Sequence, residues 1–163
     1  PALPRRHPEA TCQDVMAYCL GGDAAALLFE RIREELGLCY GIYAGCARFD
    51  GFALLEVATG CAPENLDRIH EETTAIIRRL CEEPVEEERL EMVKAAMLSS
   101  LRMAAETSAG YNRIVALPIL KGETENPYEK KNREIAAVTV EQVRAMAERT
   151  FAAEPLKATL VPA

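Results

Sequence analysis

Between Leu28 and Tyr40 a helical pattern, a glycine and a strand pattern follow one another without a linker, and this run constrains the fold more than any other part of the chain. Leu28, Ile32 and Leu36 recur every fourth residue, Ala25 and Phe29 widen the apolar stripe, and Gly37 can adopt the left-handed conformation that ends a helix. Glu30, Arg31, Arg33, Glu34 and Glu35 give the same helix a charged surface. The change from helix to strand brings Arg33 and Tyr40, seven positions apart, toward one corner.

The rest of the chain supplies layers around that corner. A helix is predicted from about Glu9 to Leu20, closed by Gly21-Gly22, with Asp23 as cap of the helix that runs to Leu36. In the strand over Leu38 to Cys46, Leu38, Tyr40, Ile42 and Ala44 alternate with Cys39, Gly41 and Tyr43. Asp50-Gly51 then offers a turn into a second strand, Phe52 to Gly60, which makes an antiparallel hairpin. Pro63 suits a helix start, and Leu66, Ile69, Thr73, Ile76, Ile77 and Leu80 give that helix a buried face until Pro84 stops it. A longer helix carries the stripe Leu90, Val93, Met97 and Leu101 and is interrupted at Thr107 to Gly110. Further helices are predicted around Ala109 to Leu120, Tyr128 to Ala136 and Val140 to Phe151, the last opened by a capping box between Thr139 and Gln142. Leu156 to Val161, preceded by Pro155, reads as a terminal strand returning to the sheet. Strands at the front and end with helices between them predict an α+β fold: a mostly antiparallel sheet with helices packed on one face.

The 163 residues, 49% of them hydrophobic, suffice for one substantial core and are too few for two ordinary domains, so residues 1–163 read as a single domain. There is no apolar run of membrane-spanning length and no basic-then-apolar leader, so no membrane partner is expected. A net charge of −7 without a basic cluster disfavours nucleic acid, whose phosphates need concentrated Lys and Arg. Glu82, Glu83, Glu86, Glu87, Glu88 and Glu91 form an acidic run that would attract basic peptides or, more simply, a solvated helix start facing the positive end of the helix dipole. Cys12, Cys19, Cys39, Cys46, Cys61 and Cys81 show neither C-x-x-C pairs nor zinc-ribbon spacing. An even count is compatible with three disulfides, but a chain this apolar needs no staples; buried thiols in a reducing cytoplasm are the expectation.

Gly21-Gly22, then Leu28-Phe29 with Ile32-Arg33-Glu34, then Gly37-Leu38 with Tyr40, resembles the Gly-Gly...Leu-Phe-x-x-Ile-Arg-Glu-x-x-Gly-Leu-x-Tyr signature of the non-catalytic, C-terminal domain of insulinase/pitrilysin-family zinc peptidases, among them mitochondrial processing peptidase and two-domain bacterial members. Thr59-Gly60-Cys61-Ala62-Pro63-Glu64-Asn65 is similar to the family's strand-to-helix junction, and Val138 to Val143 to its late helix start, so most of residues 8 to 163 is covered. Asp23-Ala24-Ala25-Ala26 departs from relatives that carry a Ser-Arg or Ser-Lys just before Leu-Phe. The resemblance implies a processing-peptidase-like sheet-and-helix layer that pairs with a related domain to enclose a peptide. It also implies that the chain, which begins at Pro1, is an excised domain lacking its first strand. An incompletely paired edge of that kind would invite a homodimer or an extended peptide.

In that family the catalytic domain carries an inverted zinc motif, H-x-x-E-H. This chain has only His7 and His70, and His70-Glu71-Glu72-Thr73-Thr74 places threonine where a second ligand would stand. No catalytic residue and no metal ligand is therefore expected here, and the resemblance assigns zinc to an N-terminal zinc-bearing domain or subunit of the parent protein. What it carries over is substrate binding by Arg33 and Tyr40. A guanidinium can grip peptide carbonyls with paired hydrogen bonds, and a phenol can donate to a carbonyl oxygen on which charge develops. On residue type alone Arg33 would be a surface cation paired with Glu30, and Tyr40 an ordinary strand aromatic; the motif and its matching spacing reverse that preference. The alternative function is a structural or inactive subunit of a peptidase-like heterodimer or complex.

Overall fold

The computed structural model describes residues 2–49 and 52–160. Helix α1, Ala10–Gly21, lies at the centre: Val15, Met16, Cys19 and Leu20 are fully buried, and even its polar Thr11 and Gln13 are enclosed. It packs against β1, α3, α6 and α7, so it has little solvent face on which charge could be placed. The hairpin pairs β1, Cys39–Arg48, with β2, Ala53–Cys61, in antiparallel register from Arg48 opposite Ala53 to Cys39 opposite Cys61. Ile42 and Ala44 of β1 face the core beside α1, whereas Tyr43 and Leu54 are half exposed on the other side. The helices thus cover one face of a two-stranded sheet, and the fold is α+β.

The helical block follows from the stripes. α2, Leu66–Glu82, is entered through a short turn, Pro63–Asn65, and buries Ile69 and Leu80 with Leu66, Thr73, Ile76 and Ile77 half buried beside them. α3, Glu87–Ala105, buries Leu90 and Val93, and the acidic run that precedes and opens it is solvent-exposed. Thr107 ends the interruption by accepting a hydrogen bond from the Gly110 amide, 3.0 Å, at the start of α4, Ser108–Tyr111. A wide turn over Asn112–Ala116 leads into α5, Leu117–Leu120. α6 spans Pro127–Ala137, with Asn126 accepting from the Tyr128 amide at 3.0 Å, and α7 spans Val140–Phe151 with the reciprocal Thr139 and Gln142 capping bonds in place. Each fully buried Leu or Ile removes apolar surface worth about 2 kcal/mol, and these side chains converge into one core.

Four expectations are corrected. The helix over Phe29–Glu35 is wide, with the Leu36 amide reaching the Arg31 carbonyl five residues back at 3.2 Å rather than four; tertiary packing, which buries Leu28 and Ile32 completely, overrides the ordinary helical preference. Asp23 does not cap that helix but accepts from the Ala25 amide at 2.9 Å in the preceding turn. Of the strand expected over Leu156 to Val161, Val161 lies outside the described residues and residues 154–160 form no strand: Leu156 and Leu160 are almost wholly exposed, and a short apolar run becomes a strand only where a neighbouring edge pairs with it. Of the cysteines only Cys19 is fully buried: Cys12, Cys39, Cys61 and Cys81 lie at the rim of the core, and Cys46 is partly buried on β1. The Asp50-Gly51 turn lies outside the described residues, although Phe49 and Phe52 flank it with an amide-to-carbonyl bond of 2.9 Å and rings stacked 4.6 Å apart.

Candidate functional site

The corner that carries Arg33 and Tyr40 is built from the end of the wide helix inward. Gly37 stands at φ 61°, in the left-handed region, and lets the chain reverse. Its amide bonds to the Arg33 carbonyl at 3.1 Å while the Leu38 amide bonds to that of Ile32 at 3.0 Å, which satisfies the helix's last acceptors. Leu38 is buried, and its own carbonyl accepts from the Asn65 side chain at 2.9 Å. The entry to α2 therefore fixes the approach to β1.

Tyr40 then departs from the pleat. Cys39 opposes Cys61 and Gly41 opposes Gly60, so two steps along β1 correspond to one along β2 and Tyr40 is the additional residue. A bulge of this kind re-aims a side chain. The sequence alternation put Tyr40 on the face of Leu38, Ile42 and Ala44; those three are buried, whereas Tyr40 is 90% exposed. Above it the Arg33 guanidinium carbon sits 4.4 Å from the Phe29 ring centre and 5.7 Å from the Tyr40 ring centre. Such cation–π contacts contribute about 0.5–1 kcal/mol at exposed positions, enough to orient Arg33 without immobilising it.

The neighbouring charges are engaged elsewhere. Arg31 bonds to Glu35 at 2.7 Å and to Glu72 of α2 at 3.0 Å, and these hydrogen bonds, that to Glu35 foremost, hold its guanidinium pKa above the usual value. Glu30 pairs with Arg89 of α3 at 2.7 Å rather than with Arg33. Arg33 pairs with the exposed Glu34 at 3.3 Å. The helix is thus tied to α2 and α3 by Arg31 and Glu30, and Arg33 is left at the surface beside Tyr40. Together they present a planar cation and a phenol on one side of the fold, suited to carbonyl or carboxylate oxygens.

Asn65 and the bulge are the parts of this corner that residue patterns did not disclose. Asn65 could have been suspected from its place after Pro63 at a strand-to-helix junction; the bulge has no local signature beyond the adjacent Gly41. The histidines do not join the corner. His7 accepts from the Glu9 amide at 3.2 Å near the start of α1, and His70 is exposed on α2, its carbonyl accepting from Thr74 at 2.8 Å. Among the described residues no three His, Cys, Asp or Glu side chains converge as metal ligands. The donor set of the described residues does not fit a catalytic zinc ion, which needs three protein ligands. No described helix is long and apolar enough to cross a membrane.

Comparison with known proteins adds an independent line. The family model for the peptidase M16 inactive domain matches residues 1–97. Among curated proteins, the uncharacterized zinc protease Rv2782c of Mycobacterium tuberculosis is 26% identical over 133 residues, which are 82% of this chain and 30% of that protein. The uncharacterized zinc protease YmxG of Bacillus subtilis is 26% identical over 149 residues, 91% of this chain and 36% of the relative. The chain thus spans about a third of the length of the curated relatives it matches. Among solved structures, a conserved protein from Enterococcus faecalis superposes with a TM-score of 0.76 at 22% identity, over 90% of this chain and 34% of that one. A peptidase M16 inactive domain from Pseudomonas fluorescens superposes with a TM-score of 0.73 at 18% identity, over 91% of this chain and 35% of that one.

Proposed function

Because this chain belongs to the family of inactive peptidase M16 domains, we propose that it is one domain of a longer zinc protease, binding and orienting peptide substrate while a separate domain or subunit holds the zinc. The observation that carries the reading is the projection of Tyr40 from the bulge beside a partly engaged Arg33. The partner is an N-terminal zinc-bearing peptidase domain or subunit, and the substrate a peptide held between the two. Arg33 grips peptide oxygens with parallel N–H donors, and the Tyr40 hydroxyl donates to a substrate carbonyl oxygen. Both act by position. Phe29 and Gly37 place the arginine, while Asn65 and the bulge place the tyrosine. The residues of this chain do not fit the metal, so no step of theirs runs through it.

Tyr40→Phe in the full-length protein removes one hydroxyl and keeps the ring under Arg33. Turnover of a fluorogenic peptide should fall on the order of a hundredfold, with zinc content and thermal stability unchanged. Arg33→Lys should also be damaging, because an ammonium cannot reproduce the two-pronged contact. Near-normal steady-state kinetics in both variants would show that the corner has no part in binding.

A further inference from the structure

Cys39 and Cys61 face one another across the open end of the hairpin. The bulge creates this juxtaposition: with continuous pairing from Gly41 and Gly60, Tyr40 would stand opposite Cys61 and Cys39 would lie beyond the end of the ladder. The additional residue exchanges an aromatic for a thiol. Both sulfur-bearing side chains pack against the rim of the core, so they lie on the same face, and both are partly buried. Directly opposed residues have Cβ atoms about 4.5–5.5 Å apart, and a disulfide requires about 3.5–4.5 Å. For a pair at that typical spacing a closure of about 1 Å suffices, and it falls at a strand end next to a bulge.

None of the other cysteines stands opposite a thiol across the hairpin. Cys46 faces Leu55, and Cys12, on α1, donates toward the Gln142 carbonyl, 3.6 Å away. Burial pushes the Cys19 thiol up to about 12 and those of Cys12 and Cys46 to about 11, and it raises Cys81 as well. Their thiolates are scarce, and the thiolate is the species that exchanges with disulfides.

We propose that Cys39 and Cys61 are a modification site, a thiol pair oxidised reversibly to a disulfide by small-molecule disulfides of the glutathione class. One thiol of the pair loses its proton and attacks a sulfur of the reagent, displacing one glutathione thiolate, which takes up a proton. The second thiol, deprotonated in turn, attacks the protein sulfur of the mixed disulfide and displaces the other glutathione. The protein loses two hydrogens and two electrons, and the reagent is reduced to two thiols. The bond closes the hairpin immediately before Tyr40, tying the bulge on its N-terminal side. This modification goes beyond peptide binding and does not depend on it.

The test equilibrates the full-length protein with mixtures of reduced and oxidised glutathione, traps free thiols by alkylation and maps linked peptides by mass. A Cys39–Cys61 peptide is expected. Because two glutathione thiols are released per bond, a tenfold rise in reduced glutathione at constant oxidised glutathione should lower the ratio of oxidised to reduced pair about a hundredfold. Cys39→Ser should leave Cys61 with a single glutathione adduct, whose ratio changes only about tenfold in the same titration. Separate adducts on both cysteines of the unsubstituted protein, a bond from either to another cysteine, or two thiols alkylated throughout would each overturn the proposal, and the unsubstituted protein alone suffices to show them.

Discussion

The two ends of β1 are held in opposite ways. At its Arg48 end the arginine side chain is 9% exposed and its guanidinium is enclosed by acceptors from two segments: the Leu3 carbonyl at 3.0 Å, the Ala10 carbonyl at 3.0 Å, the Gln13 side chain at 3.3 Å and the Asp14 carboxylate. Asp14 is shared with Lys131 of α6 at 2.6 Å, and Gln13 donates to Thr150 of α7 at 3.0 Å. At its other end Tyr40 lies outside the pleat at 90% exposure, approached by one stacked arginine. The same strand therefore joins a corner in which every direction of Arg48 is specified to one in which a ring and a cation remain available to a ligand. A charge enclosed by hydrogen bonds orders the core around it at a desolvation cost, whereas a group outside such a network keeps its hydrogen-bonding capacity.

This contrast can be broken most directly by exchanging its ends. Arg48→Met should lower unfolding free energy by about 3 kcal/mol, since it leaves buried acceptors and part of the Asp14 charge without their partner. Tyr40→Ala should change it by less than about 0.5 kcal/mol. Denaturant titration of the two variants decides the matter: equal losses would mean that the ends are not energetically distinct.

A smaller effect is expected midway along the strand, where Gly21 of α1 lies against Ala44 of β1. A Cβ on Gly21 would lie 2.6 Å from the Ala44 backbone nitrogen and 2.8 Å from its Cβ. Gly21→Val should therefore push α1 from β1 and cost about 2 kcal/mol in the same titration. A neutral result would show that the seam between helix and strand yields freely and that rigidity at Arg48 does not extend along β1.

The smallest effect belongs to the surface pair between α1 and α7. Arg149 donates to both carboxylate oxygens of Glu9, at 2.7 and 3.0 Å, and this hydrogen bonding holds the Glu9 carboxyl below the usual range against the opposing effect of burial. A lowered folded-state value contributes stability that is complete above the ordinary carboxylate pKa and disappears as pH falls through the lowered one. Glu9→Gln should thus be slightly less stable near neutrality and indistinguishable from the parent in acid, as thermal melts across that range would show. A difference that grows toward low pH would reverse the sign and remove Arg149 as its cause.

Much of the fold was legible because it rests on local chemistry. Gly37 does take positive φ, Thr139 and Gln142 do form the capping box, and the stripes from Leu66 to Leu80 and at Leu90 and Val93 do turn inward. The site was legible in part. The motif brought Arg33 and Tyr40 to one corner, but the alternation from Leu38 to Ala44 put the tyrosine on the wrong face, since period-two reasoning assumes an uninterrupted ladder. The Arg48 corner was missed, although Gln13 and Asp14 interrupt an otherwise apolar α1 and so signalled buried polarity.

By itself, then, the sequence determined the family, the order of helices and strands as far as α7, and the two residues that meet at the end of the wide helix. These depend on neighbours within a turn or a strand, where residue type and spacing act directly. Only the tertiary structure decided the wide turn at Phe29–Glu35, the bulge at Tyr40, the pairing of Cys39 with Cys61 and the enclosure of Arg48. Each arises where segments distant along the chain compete for the same space or the same hydrogen-bonding groups, and that competition is settled by the packing of the whole core rather than by any local preference.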